Sequence, residues 1–428
     1  RVVMPYDYNL LGGIVRQANL DSGTRWMLDD VTGQPVRGWD SRGHAFRTAY
    51  DALRRLTDSF MTEAGAPERL VGQTIYGEEE AEAAIRNLRG KAVRIYDQSG
   101  LAITEDYDFK GNLLAAARRF AAAFREQPDW AGEVPLEFEI FETATAYDAL
   151  NRAIAVTAPD GSVYRPRFND ASQLEAVEVN IRGAREQGRP VWSPFVHHIN
   201  YDAKGQRQLI GYGNGATTGD EYERTTFRLR RLHTRRAGGG QATAIFRDAG
   251  TVQDLHYTYD PVGNVTRIED AALDTVFHGN CRVDAVSEYI YDPLYRLLAA
   301  TGREHAAQSG FSFAPAGGDY RDFPFVGAAR LHDLQALRNY TEHYEYDPVG
   351  NPMRLRHQAP DGNFERNYTY NSPSLLEPHV NNNRLSRTSV RHGPMTLTER
   401  YRHDAHGNMT QMPHLPGMAW DFLDRLRE

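Results

Sequence analysis

The sequence has a single cysteine, Cys281, in 428 residues, so no internal disulfide can staple it, and its redox compartment stays open. A buried, inert thiol is the default expectation for that residue. No stretch approaches the roughly 18 apolar residues that a membrane-spanning helix needs. Positive charge is not in excess: 49 Lys and Arg face 57 Asp and Glu, a formal net charge of −8. That balance excludes the basic footprint of a general nucleic-acid binder. Catalytic signatures are missing too. There is no Gly-x-Ser-x-Gly elbow, no P-loop and no dinucleotide-binding glycine fingerprint. With 40% hydrophobic and 25% charged residues the chain is nevertheless of a soluble, folding composition.

What is abundant is tyrosine, 23 residues, together with 37 glycines and 21 prolines. Aromatics favour strands, and glycine and proline supply turns. They combine in one phrase, Tyr257-Thr258-Tyr259-Asp260-Pro261-Val262-Gly263-Asn264, which returns as Tyr344-Glu345-Tyr346-Asp347-Pro348-Val349-Gly350-Asn351. Tyrosines two apart share one face of a pleated strand. Aspartate, proline and glycine then stand where a type I turn followed by a left-handed residue wants them, a common hairpin connection. The phrase therefore predicts strand, tight turn, strand.

Worn copies align on Asp40, Asp51, Asp97, Asp108, Asp148, Asp202, Asp260, Asp292, Asp347, Asp404 and Asp421, with Asn169 and Asn371 in two weaker ones. In one turn type glycine follows three residues later, as Gly43, Gly100, Gly111, Gly205, Gly263, Gly350 and Gly407. In the other the text is Asp-x-Leu-x-Arg, at Asp51–Arg55, Asp148–Arg152 and Asp292–Arg296. There Arg54, Asn151 and Tyr295 hold the glycine place, where a left-handed backbone is costly for arginine and tyrosine. The second type is accordingly expected to differ in shape and to tuck Leu53, Leu150 and Leu294 inward. Arg55, Arg152 and Arg296 either bind a carboxylate on a neighbouring turn or are solvated. Spacing between copies runs from 11 to 58 residues. That is too irregular for a solenoid of identical coils and fits strand pairs of variable length in one continuous sheet.

Between the copies, Pro159–Ser162 and Pro360–Asn363 carry Asp-Gly turn signals, and Arg236–Gln241 and Asn381–Asn383 read as loops. A loop insertion is expected at about 305–324. Two stretches predict helix: Glu78–Leu88, with acids leading, and Leu113–Gln127, rich in alanine and leucine. Together they define a helical insertion at about 78–127 that should cover part of the sheet. A further helical turn is predicted at Asp333–Asn339. The whole of 1–428 reads as a single segment. It opens at Arg1 and closes in repeat-like text at Trp420–Leu426, so it is expected to be a piece of a longer protein whose targeting signals lie elsewhere.

Candidate chemistry is weak against its structural alternatives. Asp106–Asn112 looks like a calcium loop, yet Lys110 takes the fifth ligand place and Ala117 the twelfth. His197 and His198 fall on opposite faces of a strand and do not share an ion. His403 and Asp404 occupy the tyrosine and aspartate places of a repeat. Each turn aspartate already has the task of accepting backbone hydrogen bonds. The residues that carry meaning are therefore structural: the turn aspartates and glycines, with Tyr259 and Tyr346 on the strands. No catalytic, cofactor or metal residue is assigned.

The repeats resemble the tyrosine–aspartate, or Rhs, repeats of bacterial polymorphic toxins. The text around them (Trp26–Val31, Trp39–His44, Asn87–Gly90, Phe109–Leu114 and Met412–Pro416) is similar to the shell-forming region of Tc toxin B/C-type proteins. The resemblance implies a mainly β fold in which one long, curved antiparallel sheet spirals into part of a hollow shell. It implies a non-enzymatic role in a secreted toxin, with the remainder of the shell and a C-terminal toxic cargo as partners, and a pore-forming translocation component as a further one. It implies neither nucleic acid nor a membrane span. The aspartyl autoprotease of that family lies in a core domain after the repeats, and Asp292-Pro293-Leu294-Tyr295 is a repeat turn rather than its signature. An isolated wall segment would expose strand edges and be less well behaved than the whole. Two other classes stand as alternatives to this one. A glycan-binding adhesion repeat needs an exposed aromatic patch, and a glycosidase needs two carboxylates about 5–10 Å apart in a cleft.

Overall fold

A computed structural model describes residues 2–238, 250–306, 333–360, 362–413 and 415–428. Most of the expected insertion at 305–324, the tip of Arg236–Gln241 and Asp361 lie outside the described residues. The rest is almost entirely β. Twenty-seven strands form one sheet, and each is hydrogen-bonded antiparallel to the next along the chain, from Tyr6–Tyr8 to Met395–Arg400. Short hairpins at Arg185–Pro190, Val276–Val283 and Arg402–Gln411 stand outside it.

This is an uninterrupted up-and-down meander, so every connection joins sequence neighbours and successive connections alternate between the two long edges of the strip. The turns at Asp30, Asp51, Asp108, Asp148, Asn169, Asp202, Asp260, Asp292 and Asp347 all fall on one edge, the aspartate rim. Asp21, Asp40 and Asp97 fall on the opposite rim, with the longer connections at 121–140 and 271–285.

Strand stability comes from ladders on both sides more than from a thick core. Many strand residues are half-buried, and among the described residues a compact apolar cluster forms locally, where Ala83, Leu88 and Val93 pack with Ile75 and Tyr107. The expected helices give way to this arrangement. Leu113–Phe120 is a strand, paired with Gly100–Tyr107 on one side and Phe141–Tyr147 on the other. Helix propensity is worth at most about 0.7 kcal/mol per residue, and two flanking ladders outweigh it. Residues 121–135 do cover the sheet, as an irregular segment: Trp130 N–H donates to Leu70 O at 2.8 Å, and its ring lies 4.9 Å from Tyr96. Glu78–Leu88 holds one 3₁₀ turn, Gly77–Glu79, followed by tight turns. Asp333 opens a turn closed by an Ala336 N–H bond to Asp333 O, and Leu337–Tyr346 follows as a strand rather than a helix. Cys281 is exposed, at the tip of the Val276–Val283 hairpin, so the expectation of a buried thiol does not hold.

Candidate functional site

The recurring unit is a hairpin turn with a fixed bonding scheme. Asp260 N–H donates to Asn264 O at 3.0 Å, and Gly263 N–H returns to Asp260 O at 3.2 Å. Asp260 Oδ1 accepts the Gly263 and Asn264 N–H groups at 2.7 and 2.9 Å, and Oδ2 accepts Asn264 Nδ2 at 2.7 Å. Gly263 has φ +115°, where a side chain is strained. The strands slip register by one residue beside the turn, the bulge that this loop length demands. Asp40, Asp51, Asp108, Asp148, Asp202, Asp292, Asp347, Asp404 and Asp421 repeat the two backbone bonds. Gly43, Gly111, Gly205, Gly350 and Gly407 hold the left-handed place. Asp97 differs: it pairs directly with Gly100 across Gln98 and Ser99, and its carboxylate also binds Arg118 Nη1 at 2.9 Å. Asn169 turns like the aspartates. Asn371 does not, because its N–H is directed to Ser386 Oγ at 3.3 Å.

The two turn types share one shape. Arg54, Asn151 and Tyr295 adopt φ +65°, +63° and +63°, so the sequence expectation of a different turn fails. Leu53, Leu150 and Leu294 point outward, with 69%, 65% and 67% of their surface exposed. The arginine at the fifth place does what asparagine does elsewhere. Arg55, Arg152 and Arg296 bind their own turn carboxylates through Nε at 2.7, 2.7 and 2.6 Å. Each then reaches the next turn: Arg55 to Glu78, Arg152 to Ser172 Oγ, and Arg296 to Asp347 O at 3.0 Å. Two turns passed over in the sequence, at Asp30-Val31-Thr32-Gly33 and Asn9–Gly12, follow the same scheme. The Asn9 turn has the full lead-in, Tyr6-Asp7-Tyr8, with asparagine in the aspartate place, whereas the Asp30 turn lacks it and is marked only by the Asp-x-x-Gly spacing.

Tyrosine links one hairpin to the next. Tyr259 is packed beside Tyr257 with ring centroids 6.5 Å apart, and its hydroxyl donates to Leu229 O at 2.7 Å. Tyr50, Tyr76, Tyr201, Tyr222 and Tyr291 make the equivalent bond to a backbone carbonyl one hairpin back. Tyr346 instead lies under Arg296, with the guanidinium 5.0 Å from the ring centre.

Two clusters of ionisable groups stand out. In the wall, His357 is buried between Glu304 and Glu342, at 3.2 and 3.1 Å, and Arg338 closes on Glu304 at 2.7 Å. Burial alone would lower the His357 pKa, but the hydrogen bonds to the two carboxylates outweigh it and lift it to about 9. Tyr340 and Phe364 sandwich the imidazole at 5.3 and 4.8 Å. The second cluster joins the ends of the strip. Arg42 reaches Asp404 at 3.1 Å and Asp421 O at 2.6 Å, and Arg25 reaches Asp424 at 2.7 Å. His406 lies between Asp424, 2.9 Å away, and Asp40, 3.4 Å away. Asn383 N–H donates to Asp21 Oδ1 at 2.7 Å, and Leu375 N–H to Leu20 O at 3.0 Å. Gly407 sits so close to Asp21 that an added Cβ would meet its carbonyl at 2.7 Å.

This seam joins unlike edges. Asp21 and Asp40 belong to the opposite rim, whereas residues 372–386 lie on the aspartate rim and 401–428 continue from it. No strand pairing crosses the seam among the described residues. The strip thus meets itself displaced by a strand length, as a helical ribbon does and a closed barrel does not. The 23 strands from Gly23–Asp29 through Phe364–Thr369 make the revolution, about 110 Å around at the usual strand spacing. Among the described residues no three or more His, Cys, Asp or Glu side chains converge as a metal site would require, and no helix is long and apolar enough to cross a membrane. Asp106 and Asp108 belong to a turn in which Asp108 Oδ1 accepts the Lys110 and Asn112 N–H groups.

No protein-family profile matches the chain. It is 30% identical over 390 residues to the toxin subunit YenC2 of Yersinia entomophaga, covering 86% of this chain and 38% of that protein. It is also 30% identical over 377 residues to YenC1 of the same organism, covering 86% and 36%. The chain therefore spans well under half the length of these relatives. Its fold matches the TcdB2-TccC3 crystal structure with a TM-score of 0.78 at 24% identity, over 100% of this chain and 19% of that one. It matches the Photorhabdus luminescens Tc holotoxin pore with a TM-score of 0.77 at 24% identity, over 99% and 18%. In sequence the chain is thus similar to the toxin subunits YenC1 and YenC2, and its fold is that of the matching part of the Tc toxin structures.

Proposed function

We propose that this segment is a wall section of a secreted Tc-type toxin, and that the wall encloses a toxic cargo until a delivery component accepts it. The observation that carries the reading is the uninterrupted meander with its helical seam. A ribbon that meets itself rim to rim bounds a space without leaving ladder groups unsatisfied along its length. The turn aspartates, turn glycines and strand tyrosines act as fastenings of that wall, and the segment is catalytically silent. The partners in this reading are the rest of the shell, the cargo and a pore-forming component.

The test is protease protection of cargo in the full-length protein. Intact shell is expected to leave the cargo uncut under conditions that digest free cargo completely. Equal digestion of enclosed and free cargo would overturn the reading.

A further inference from the structure

One cluster in the wall depends on a proton. His357 stands on Pro352–Gln358, and both of its ring nitrogens face carboxylates. Nε2 lies 3.2 Å from Glu304 on Leu297–His305, and Nδ1 lies 3.1 Å from Glu342 on Leu337–Tyr346. A neutral imidazole has one N–H and one lone pair, so it satisfies one of these contacts and sets its lone pair against the other. The imidazolium donates to both. The stacking agrees: the ring lies between Tyr340 and Phe364 at interplanar angles of 24° and 14°, and aromatic faces attract a cation.

The site is built to hold that charge away from water. His357 and Arg338 are each 5% exposed. Arg338 binds Glu304 through Nε at 2.8 Å and Nη2 at 2.7 Å, so Glu304 keeps a cation whatever His357 does. Glu342 has no second cation among the described residues; its other partner is the Tyr344 hydroxyl. Glycines leave the necessary room. A Cβ at Gly302 would meet the Tyr340 hydroxyl oxygen at 2.8 Å, and one at Gly362 would overlap the Arg338 guanidinium. With Phe364 the cluster spans four successive strands of the ladder.

We propose that this cluster is an alkaline-sensitive clasp: the proton on His357 ties four successive strands together, and its loss at alkaline pH loosens that stretch while the rest of the strip stays paired. The device belongs to the wall and is independent of what the wall encloses. Deprotonation leaves Glu342 buried without its cation and turns a ring lone pair toward a carboxylate oxygen, a costly arrangement away from water. The groups facing the imidazole are Glu304 from one strand, Arg338, Tyr340, Glu342 and Tyr344 from the next, and the uncharged Phe364 from Phe364–Thr369. Burial raises Tyr340, and burial with the bond to Glu342 raises Tyr344. The His357 hydrogen bond holds Glu342 below the usual carboxylate range, and arginine keeps its charge. A histidine raised from about 6.5 to about 9 contributes fully below the first value and loses that contribution as pH rises through the second. The clasp is therefore closed at neutral pH and opens around pH 9.

The test is amide hydrogen exchange in the full-length protein, read by mass spectrometry from about pH 7 to about pH 10.5 and corrected for the intrinsic base-catalysed rate. The peptides of interest cover Leu337–Tyr346 and Pro352–Gln358. Gly100–Tyr107 and Leu113–Phe120, which contain no histidine, are the internal reference. Protection of the clasp strands is expected to fall at least about 10-fold relative to the reference, with a midpoint near 9. Glu342→Gln removes one of the two carboxylates that hold the proton and should move the midpoint about one pH unit toward neutrality. His357→Gln should be less protected at neutral pH and show no differential fall above it. A wild-type profile without a differential fall would overturn the proposal. So would a midpoint unmoved in Glu342→Gln or a fall that persists in His357→Gln, since either places the titrating group elsewhere. The wild-type profile decides the matter even where a variant does not fold.

Discussion

The Tyr259 hydroxyl donates to the Leu229 carbonyl at 2.7 Å, across 30 residues of sequence and one hairpin of the sheet. That bond fastens the end of one hairpin to the start of the strand before it. Tyr259→Phe should keep the ring packing on Tyr257 and lose only the bond. The expected cost is about 1 kcal/mol, read as a lower denaturant midpoint with unchanged slope. A loss within error of zero would mean that the hydroxyl bond is replaced by solvent at no cost.

The turn aspartate should matter through its Oδ1 bonds. Asp347 Oδ1 accepts Val349 N–H at 3.0 Å and Asn351 N–H at 2.8 Å. Asp347→Ala is expected to destabilise by about 1 kcal/mol, the size of the same change at a helix cap with equivalent bonding. Asp347→Asn should cost less, since Asn169 holds this place in a working turn. Thermal melts ranking wild type above Asn above Ala check this, and an Asn variant below Ala would refute it.

Tyr295 offers a stabilising change. It holds φ +63° with its side chain 59% exposed, so the strain has no packing to offset it beyond the turn itself. Tyr295→Gly should raise stability by about 1 kcal/mol, the usual left-handed penalty for a side chain. The midpoint of a urea melt measures it. A fall would show that the tyrosine ring makes a contact worth more than the strain.

The seam should stay shut on mild acidification. Its ionisable groups are Asp21, Arg25, Asp40, Arg42 and His44 on the opposite rim, with Arg384, His403, Asp404, His406, Asp421 and Asp424 facing them. Burial lowers the His406 pKa, but hydrogen bonds to Asp40 and Asp424 prevail and raise it. Asp40, Asp404 and Asp424 are held below the usual carboxylate range, burial again being outweighed by their hydrogen bonds. A raised histidine contributes fully below its unfolded value, about 6.5, and loses that contribution as pH rises through the folded value. Depressed aspartates contribute above about 4 and lose this as pH falls through their folded values. Burial and Arg384 lower His403, which acts in the opposite direction. Seam protection should therefore hold at pH 5–6 and weaken toward alkaline pH, as read by amide exchange at Asp21–Gly23 and Asp404–Asn408. Opening between pH 7 and 5 would contradict this assignment.

Much of this architecture was legible from the repeated phrase because its causes are local. Asp260 to Asn264 bond within five residues, and Tyr257 and Tyr259 share a face by pleat alone. Leu113–Phe120 misled for the same reason: its alanines and leucines favour a helix locally, and the ladders that hold it extended come from Gly100–Tyr107 and Phe141–Tyr147. Arg54 and Tyr295 misled because the hairpin imposes a left-handed backbone whatever side chain occupies it. The seam had no local signal. Arg42 and Asp404 are 362 positions apart, and only the curvature of the intervening strands brings them together.

Because each strand pairs with its sequence neighbour, the wall can grow one hairpin at a time as the chain leaves the ribosome, each new strand templated by the one before it. The seam is different. Arg42 must wait for Asp404, so nearly the whole segment is synthesised before the first revolution can be locked. Until then the growing strip is an open ribbon with a free leading edge.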